Sequence, residues 1–433
     1  MEFLKSKQNA ESKPYSILDN VKSWKWFGFK VSENGQAEDN QENENAPLDE
    51  EESEDMQLTE EETQTKGKEK AVEQVQSKSD NFHLIKDIDY YVEKDKHKKH
   101  KLNIYVPKEI NNNELLPVVV HVHGGGWKRG DRDTEFYGAP FMGRAYVKRG
   151  FVCVTVSYRL AWTASHPAQI IDVARAMKWI VNNIKGFHGD VDRLFISGHS
   201  AGGHLVTLLA TDPSYLQQQG VDSGVIKGVI AISGIYSLHD ALLESLEGNC
   251  QKGTWWNAMF HMRYVNGNFG KDPTQWHQAS PIYYINDVIA KLKSMNEQES
   301  QTQQQNENNN NNNENQTNDA EVTNEGQSKE TQPTKEDGNA DSVLTSALQT
   351  ALAVSSPPLV VTLSQKLPPF LLVSAEWDMG LEFGAARFFA ALKQAGVQAV
   401  HKTIPGTHHG SVTRCEETPN EAATFIKDIL SKM

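Results

Sequence analysis

The chain has 433 residues and a formal net charge of −14, with 43 Lys and Arg against 57 Asp and Glu. That length admits one large domain or two ordinary ones. The acidity excludes no class of substrate, because two segments carry it: residues 31–70 hold −12 and residues 287–356 hold −8, which leaves +6 elsewhere.

The N-terminus, Met1-Glu2-Phe3-Leu4-Lys5, lacks the apolar core of a signal peptide. No stretch of the chain reaches 18 apolar residues, so no membrane span is expected. Residues 15–30 place Trp24, Trp26, Phe27 and Phe29 among lysines, and read either as a short segment packed on the domain or as a membrane or partner contact. The acidic run that follows buries too little apolar surface to offset its ordering entropy, so residues 1–81 are expected to be largely disordered.

The folded domain is expected over residues 82–433. Residues 88–92 and 102–106 alternate as two strands around a charged hairpin, Lys94 to Lys101. That Lys and His run lacks interleaved aromatics and reads as a solvated loop, so no nucleic acid partner is expected. Pro117 to Val122 and Phe151 to Val156 are continuous apolar runs, as strands buried on both faces should be. Phe141 to Arg149 reads as a helix between them, and Pro167 opens another that Gly186 ends. Strands follow at 194–196, 226–232, 370–374 and 397–404, with a helix at 385–392. Strands alternating with helices predict an α/β fold: a mostly parallel sheet with helices on both faces.

Residues 236–286 break that alternation. Trp255, Trp256, Phe260, Tyr264, Phe269, Trp276, Tyr283 and Tyr284 read as the core of a small cap, with one or two rings left to line a pocket. The tract 287–356 that follows contains Asn308 to Asn313 unbroken and many Gln. It reads as a disordered insert, open to weak protein association. Lengthening a connection from ~5 to ~70 residues costs only about 2 kcal/mol of closure entropy, so a working domain can carry it. Cys153, Cys250 and Cys415 are odd in number and far apart, which favours a reducing compartment and a cytoplasmic location.

Two motifs carry chemistry. Gly198-His199-Ser200-Ala201-Gly202 lies between a short apolar strand and a helical run, the setting in which a G-x-S-x-G pentad exposes a nucleophilic serine on a sharp turn. His123-Gly124-Gly125-Gly126-Trp127 follows the strand 117–122, and its glycines can turn backbone N–H groups inward. Gly124 and Gly125, with the N–H of Ala201, are the expected oxyanion donors. A triple glycine could also cradle phosphate, but no Gly-Lys-Ser/Thr ending follows.

Serine needs a base, and the base an orienting acid, in the chain order Ser, Asp or Glu, His. The strand at 370–374 leads to Glu376 and Asp378; position and side-chain length favour Asp378, with Glu376 as the competitor. The next strand leads to His408 and His409, of which His409 is favoured as the base and His408 is the alternative. His199 reads as a packing residue with one hydrogen bond, and His204 as structural.

These motifs resemble the α/β-hydrolase superfamily, in the esterase branch with an H-G-G-G oxyanion motif. Ser157-Tyr158-Arg159-Leu160, Pro167-Ala168-Gln169 through Asp172, and Ala279-Ser280-Pro281 also look like the segments found at those places in such enzymes. The elbow Gly198-His199-Ser200-Ala201-Gly202-Gly203-His204-Leu205 is similar to kynurenine formamidases, prenylcysteine methylesterase-like proteins and feruloyl-esterase-like carboxylesterases. The resemblance spans about 82–286 and 366–430. It implies the α/β-hydrolase fold, hydrolysis of a small carboxylic ester through an acyl-enzyme, and no cofactor or metal. It also favours Asp378 and His409, since the histidine stands three residues after Gly406. An arylformamidase acting on an N-formyl aryl substrate is the enzymatic alternative. A non-catalytic ligand-binding or scaffold protein on the same fold is the alternative of another class.

Overall fold

The structure is a computed structural model that describes residues 30–31, 37–38, 81–111, 114–239, 264–320 and 367–433. The chain divides into two units, Met1–Val72 and Glu73–Met433. The first unit contributes two short antiparallel strands, β1 (Lys30–Val31) and β2 (Ala37–Glu38). The rest of the expected acidic segment, with Trp24 and Trp26, lies outside the described residues, as do Trp255, Trp256, Phe260, Cys250 and the tract from 321 to 366.

The second unit is built on one eight-stranded sheet. Its strands are β3 (Phe82–Asp89), β4 (Lys101–Pro107), β5 (Leu116–Val122), β6 (Val152–Val156), β7 (Gly189–His199), β8 (Ile226–Ile232), β9 (Phe370–Trp377) and β10 (Ala399–His408). Their order across the sheet is β10-β9-β8-β7-β5-β6-β4-β3. The six strands from β10 to β6 are parallel; β4 and β3 close one side antiparallel. Val118 to Val122 of β5 and all five residues of β6 are buried, which is why both read as unbroken apolar runs rather than alternating ones.

Among the described residues, the α-helices longer than four residues are α1 (Ala139–Val147), α2 (Ala168–Asn183), α3 (Ala201–Thr211), α4 (Pro273–Gln278), α5 (Pro281–Ala320), α6 (Leu381–Gln394) and α7 (Glu417–Leu430). Helix α7 buries Ala422, Ala423, Phe425, Ile426 and Ile429, one stripe at three-to-four spacing. That stripe joins Met142 and Tyr146 of α1 against Val119, Phe195, Ile230 and Leu371 of the sheet. Burying each large apolar side chain there stabilises the fold by about 1.5–3 kcal/mol. On the opposite face α3 packs on β7 and β8, and α6 packs on β9 and β10. Every residue of α3 is buried, so the serine at its start stands on a rigid support.

Several boundaries differ from the sequence reading, for physical reasons. Strand β7 is longer than residues 194–196 because Gly189 and Asp190 pair with Leu116 and Pro117 across a register shift. The first hairpin strand ends at Asp89 rather than running to Val92, which is exposed. Helix α5 runs from Pro281 through residues expected to begin the insert at 287. Its first turns are anchored by buried Ile282, Ile285 and Ile289, and Lys, Leu, Gln, Met and Glu are strong helix formers that propagate from such an anchor.

The loop 94–101 is more than a solvated run. Lys96 and Lys101 pair with Asp89, Lys99 pairs with Asp131, and His100 is fully buried. The His100 Nε2–H donates to Asp172 at 3.1 Å, and Arg159 grips the same carboxylate through its side chain and its backbone N–H. Burial would raise the Asp172 pKa, but the hydrogen bonds from His100 and Arg159 outweigh it and hold the carboxyl below its usual range. A depressed carboxyl contributes stability above its unfolded-state value and loses it as pH falls through the folded-state value. Asp172→Asn is therefore expected to destabilise the protein at pH 7 by about 3–5 kcal/mol, since it leaves Arg159 without its buried partner. In thermal melts across pH, the gap between wild type and variant should narrow as the pH falls below about 4.

Candidate active site

Ser200 stands between β7 and α3 with φ 54° and ψ −117°, a left-handed backbone that a non-glycine residue adopts only under constraint. The constraint is close packing. A Cβ on Gly198 would strike the Gly202 carbonyl, and a Cβ on Gly202 would strike the Val122 carbonyl. With hydrogen at both places the turn closes. The Ser200 N–H then donates to Ile232 at 2.8 Å, and its carbonyl accepts from His204 at 2.9 Å.

The histidine and the carboxylate come from the ends of β10 and β9. Strand β10 ends at His408, with a register irregularity between Ile404 and His408 and Gly406 held at φ 70°, and His409 follows directly. Its Nε2 lies 2.9 Å from the Ser200 Oγ. Its Nδ1 lies 2.7 Å from Asp378 Oδ1. The carboxylate accepts from Nδ1–H, which leaves the Nε2 lone pair facing the serine hydroxyl. Asp378 is fully buried just past β9, and its second oxygen accepts from the Ala375 N–H at 3.2 Å. Ser200 and His409 are only 6% and 4% exposed, so little water competes for these bonds.

The two competitors lie elsewhere. Glu376 is exposed and accepts from the Gly406 N–H at 2.7 Å, bracing the base-bearing turn rather than touching the imidazole. The exposed His408 stacks on Trp377 with ring centroids 4.8 Å apart.

The glycine loop lies against the serine. A Cβ on Gly124 would come 3.3 Å from the Ser200 Cβ, which glycine avoids. Burial pushes His123 down to about 4, so it is neutral at pH 7. Its Nδ1–H donates to the Gly124 carbonyl at 2.7 Å. The peptide is planar and trans, so a carbonyl held toward His123 sends the Gly125 N–H the opposite way. Ala201 opens α3, where N–H groups have no acceptor within the helix. Gly125 is held at φ 115°, where a side chain would strike the Arg129 carbonyl.

Sequence reasoning missed four contacts here. The Trp127 indole N–H donates to His204 Nδ1 at 3.3 Å, while His204 Nε2–H donates to the Ala279 carbonyl at 2.7 Å. One neutral ring thus ties the glycine loop, the nucleophile helix and the cap together; burial pushes it down to about 3. The Ser280 hydroxyl accepts from the Leu238 N–H at 2.8 Å and fixes the entry to α5. His199 Nε2–H donates to the backbone carbonyl of His409 at 2.8 Å. The partners stand 77, 75, 42 and 210 positions apart, and no local pattern signals such pairs. The cap rings Tyr264, Phe269 and Trp276 are buried, and the Lys128 ammonium sits 4.6 Å from the Trp162 ring. Among the described residues there is no cluster of His, Cys, Asp and Glu able to hold a metal, and no helix is long and apolar enough to cross a membrane.

Comparisons with known proteins point the same way. The family model described as BD-FAE matches residues 102–292. Esterase LipQ of Mycobacterium tuberculosis is 30% identical over 196 residues, 43% of this chain and 42% of that protein. Carboxylesterase NlhH of the same species is 37% identical over 109 residues, 25% of this chain and 33% of its own. The chain thus spans less than half the length of these curated relatives. The crystal structure of esterase B from Lactobacillus Rhamnosis (HN001) superposes with a TM-score of 0.53 at 16% identity, covering 86% of this chain and 93% of that one, which shows a shared fold.

The elbow packing generates a stability test. Gly202→Ala places a methyl group on a backbone carbonyl that cannot move without disturbing β5, so a loss of about 1–3 kcal/mol or more is expected in urea unfolding. Gly186→Ala, where a Cβ meets nothing within 4 Å, should lie within about 0.5 kcal/mol of wild type.

Proposed function

We propose that this chain, a member of the α/β-hydrolase superfamily, is a serine carboxylesterase that cleaves a small carboxylic ester through an acyl-enzyme. The reading is carried by one observation: the unbroken hydrogen-bonded run Ser200–His409–Asp378 at 2.9 and 2.7 Å. The esterase names of its relatives support the substrate class. The reading keeps the catalytic domain at 82–433, with the tract around 287–356 as an excursion from it.

In this mechanism the Ser200 Oγ attacks the ester carbonyl while His409 Nε2 takes the hydroxyl proton. Asp378 holds the ring in the tautomer that leaves Nε2 free and stabilises the imidazolium that forms. The carbonyl oxygen becomes an oxyanion facing the N–H groups of Gly124, Gly125 and Ala201. The C–O bond to the alcohol then breaks, and His409 returns its proton to the departing oxygen. Water, deprotonated by His409, attacks the acyl-enzyme and releases the acid and the free serine. None of these steps needs a cofactor. Cleavage of an N-formyl aryl amide would use the same groups, but the names of the relatives favour the ester.

Ser200→Ala is expected to abolish hydrolysis of p-nitrophenyl acetate and labelling by a fluorophosphonate probe. Retained activity would remove the assignment. Asp378→Asn should fold normally and lose about 10⁴-fold in kcat, the size of effect that follows a wrong imidazole tautomer. Steady-state rates on short acyl esters beside N-formyl anilides decide between the two substrate classes, and a clear preference for the formyl compounds would replace the esterase reading with an arylformamidase.

A further inference from the structure

His199 is the last residue of β7, directly before Ser200, and is fully buried. Its Nε2 lies 2.8 Å from the main-chain oxygen of His409. A carbonyl only accepts, so Nε2 carries the proton and donates. The two imidazole rings stand 4.9 Å apart, tilted by 41°. On its other edge, Nδ1 is only 2.8 Å from where a Cβ on Gly124 would stand. One side chain therefore touches the strand that bears the nucleophile, the backbone of the base and the glycine loop expected to hold the oxyanion.

We propose that His199 is a positioning residue for the reaction: its Nε2–H holds the His409 backbone, and its ring spaces that backbone from Gly124, so that base and oxyanion loop keep a fixed separation across Ser200. The inference rests on the reading of His409 as the base. The chemistry suits the task. His409 follows directly on the end of β10, where of residues 404–408 only Ile404 and Thr407 are buried. An ångström of drift in a reacting group costs about 10²-fold in rate. A donor anchored on a central strand removes that drift. Burial and the neighbouring His409 push the His199 ring well below the usual histidine range. It thus stays neutral when His409 gains a proton during turnover, and adds no repulsive charge beside the imidazolium. A carboxylate at this position would lack an N–H and repel the carbonyl that His199 binds.

The test compares three side chains at position 199 by kcat per active site, with sites titrated by fluorophosphonate so that any misfolded fraction drops out. His199→Phe keeps a buried ring and removes the donor; kcat for p-nitrophenyl acetate should fall about 10- to 100-fold with KM within about threefold. His199→Gln places an amide N–H near the old Nε2 and should recover most of that loss. The acid limb of kcat/KM, which reports the base of the free enzyme, should keep its position in His199→Gln, because a neutral spacer contributes no titration of its own. If His199→Phe does not fold, His199→Asn replaces it, since its amide stops short of the His409 carbonyl. The proposal is overturned if the variant without the donor turns over like wild type, if Gln fails to restore kcat, or if the loss lies in KM alone. Ser200→Ala run alongside separates the two readings: activity surviving there overturns the triad, whereas activity lost there but kept in His199→Phe overturns only the role of His199.

Discussion

The approach of Gly202 to the Val122 carbonyl is the constraint from which the site follows. Strands β5 and β7 are neighbours in the sheet, and helix α3 must start directly over their ends. A side chain at 202 or 198 would hold the helix away, and Ser200 would relax out of its left-handed conformation. Sparsely populated backbone of that kind costs about 1–3 kcal/mol and persists only where surrounding packing over-determines it. Here the packing is the wholly buried α3. The serine hydroxyl is therefore presented by the rigid centre of the fold, while His409 and Asp378 lie just past β10 and β9 and must be brought to it.

Those segments are held by neutral polar contacts. His121, His123, His199 and His204 are all fully buried, and burial is the largest cause holding each of them below the usual imidazole range. A neutral imidazole can donate from one nitrogen and accept at the other, which suits it to join backbone segments that share no ladder. His204 does both at once, between Trp127 and Ala279. The neighbourhood of the serine thus holds several imidazoles, and His409 presents its Nε2 to the hydroxyl.

The central strands and the elbow were legible in the sequence because each is a local pattern. Continuous apolar runs marked β5 and β6, and the glycines around Ser200 marked a turn. Asp378 and Glu376 were harder to separate, since both follow the same strand. Their difference is burial: β9 leaves Glu376 outside, where it braces Gly406, and turns Asp378 inward. His408 and His409 differ in the same way, by which side of the loop each faces. The Lys and His run at 94–101 misled for a related reason. Composition alone suggested solvent, but Asp172, 72 residues beyond His100, buries that histidine and Asp131 draws in Lys99.

The sequence by itself determined the architecture and the kinds of group available: the α/β alternation, a serine on a sharp turn, glycines to face it, and one acid-bearing and one histidine-bearing loop in the right order. These follow from hydrophobic period and local steric demands, which act over a few residues. Only the tertiary structure brought Asp378 to His409 and His409 to Ser200, and set which buried histidines brace the segments around them. Such pairings join positions up to 210 residues apart. They are set by strand order, register and burial, which no local stretch of chain contains.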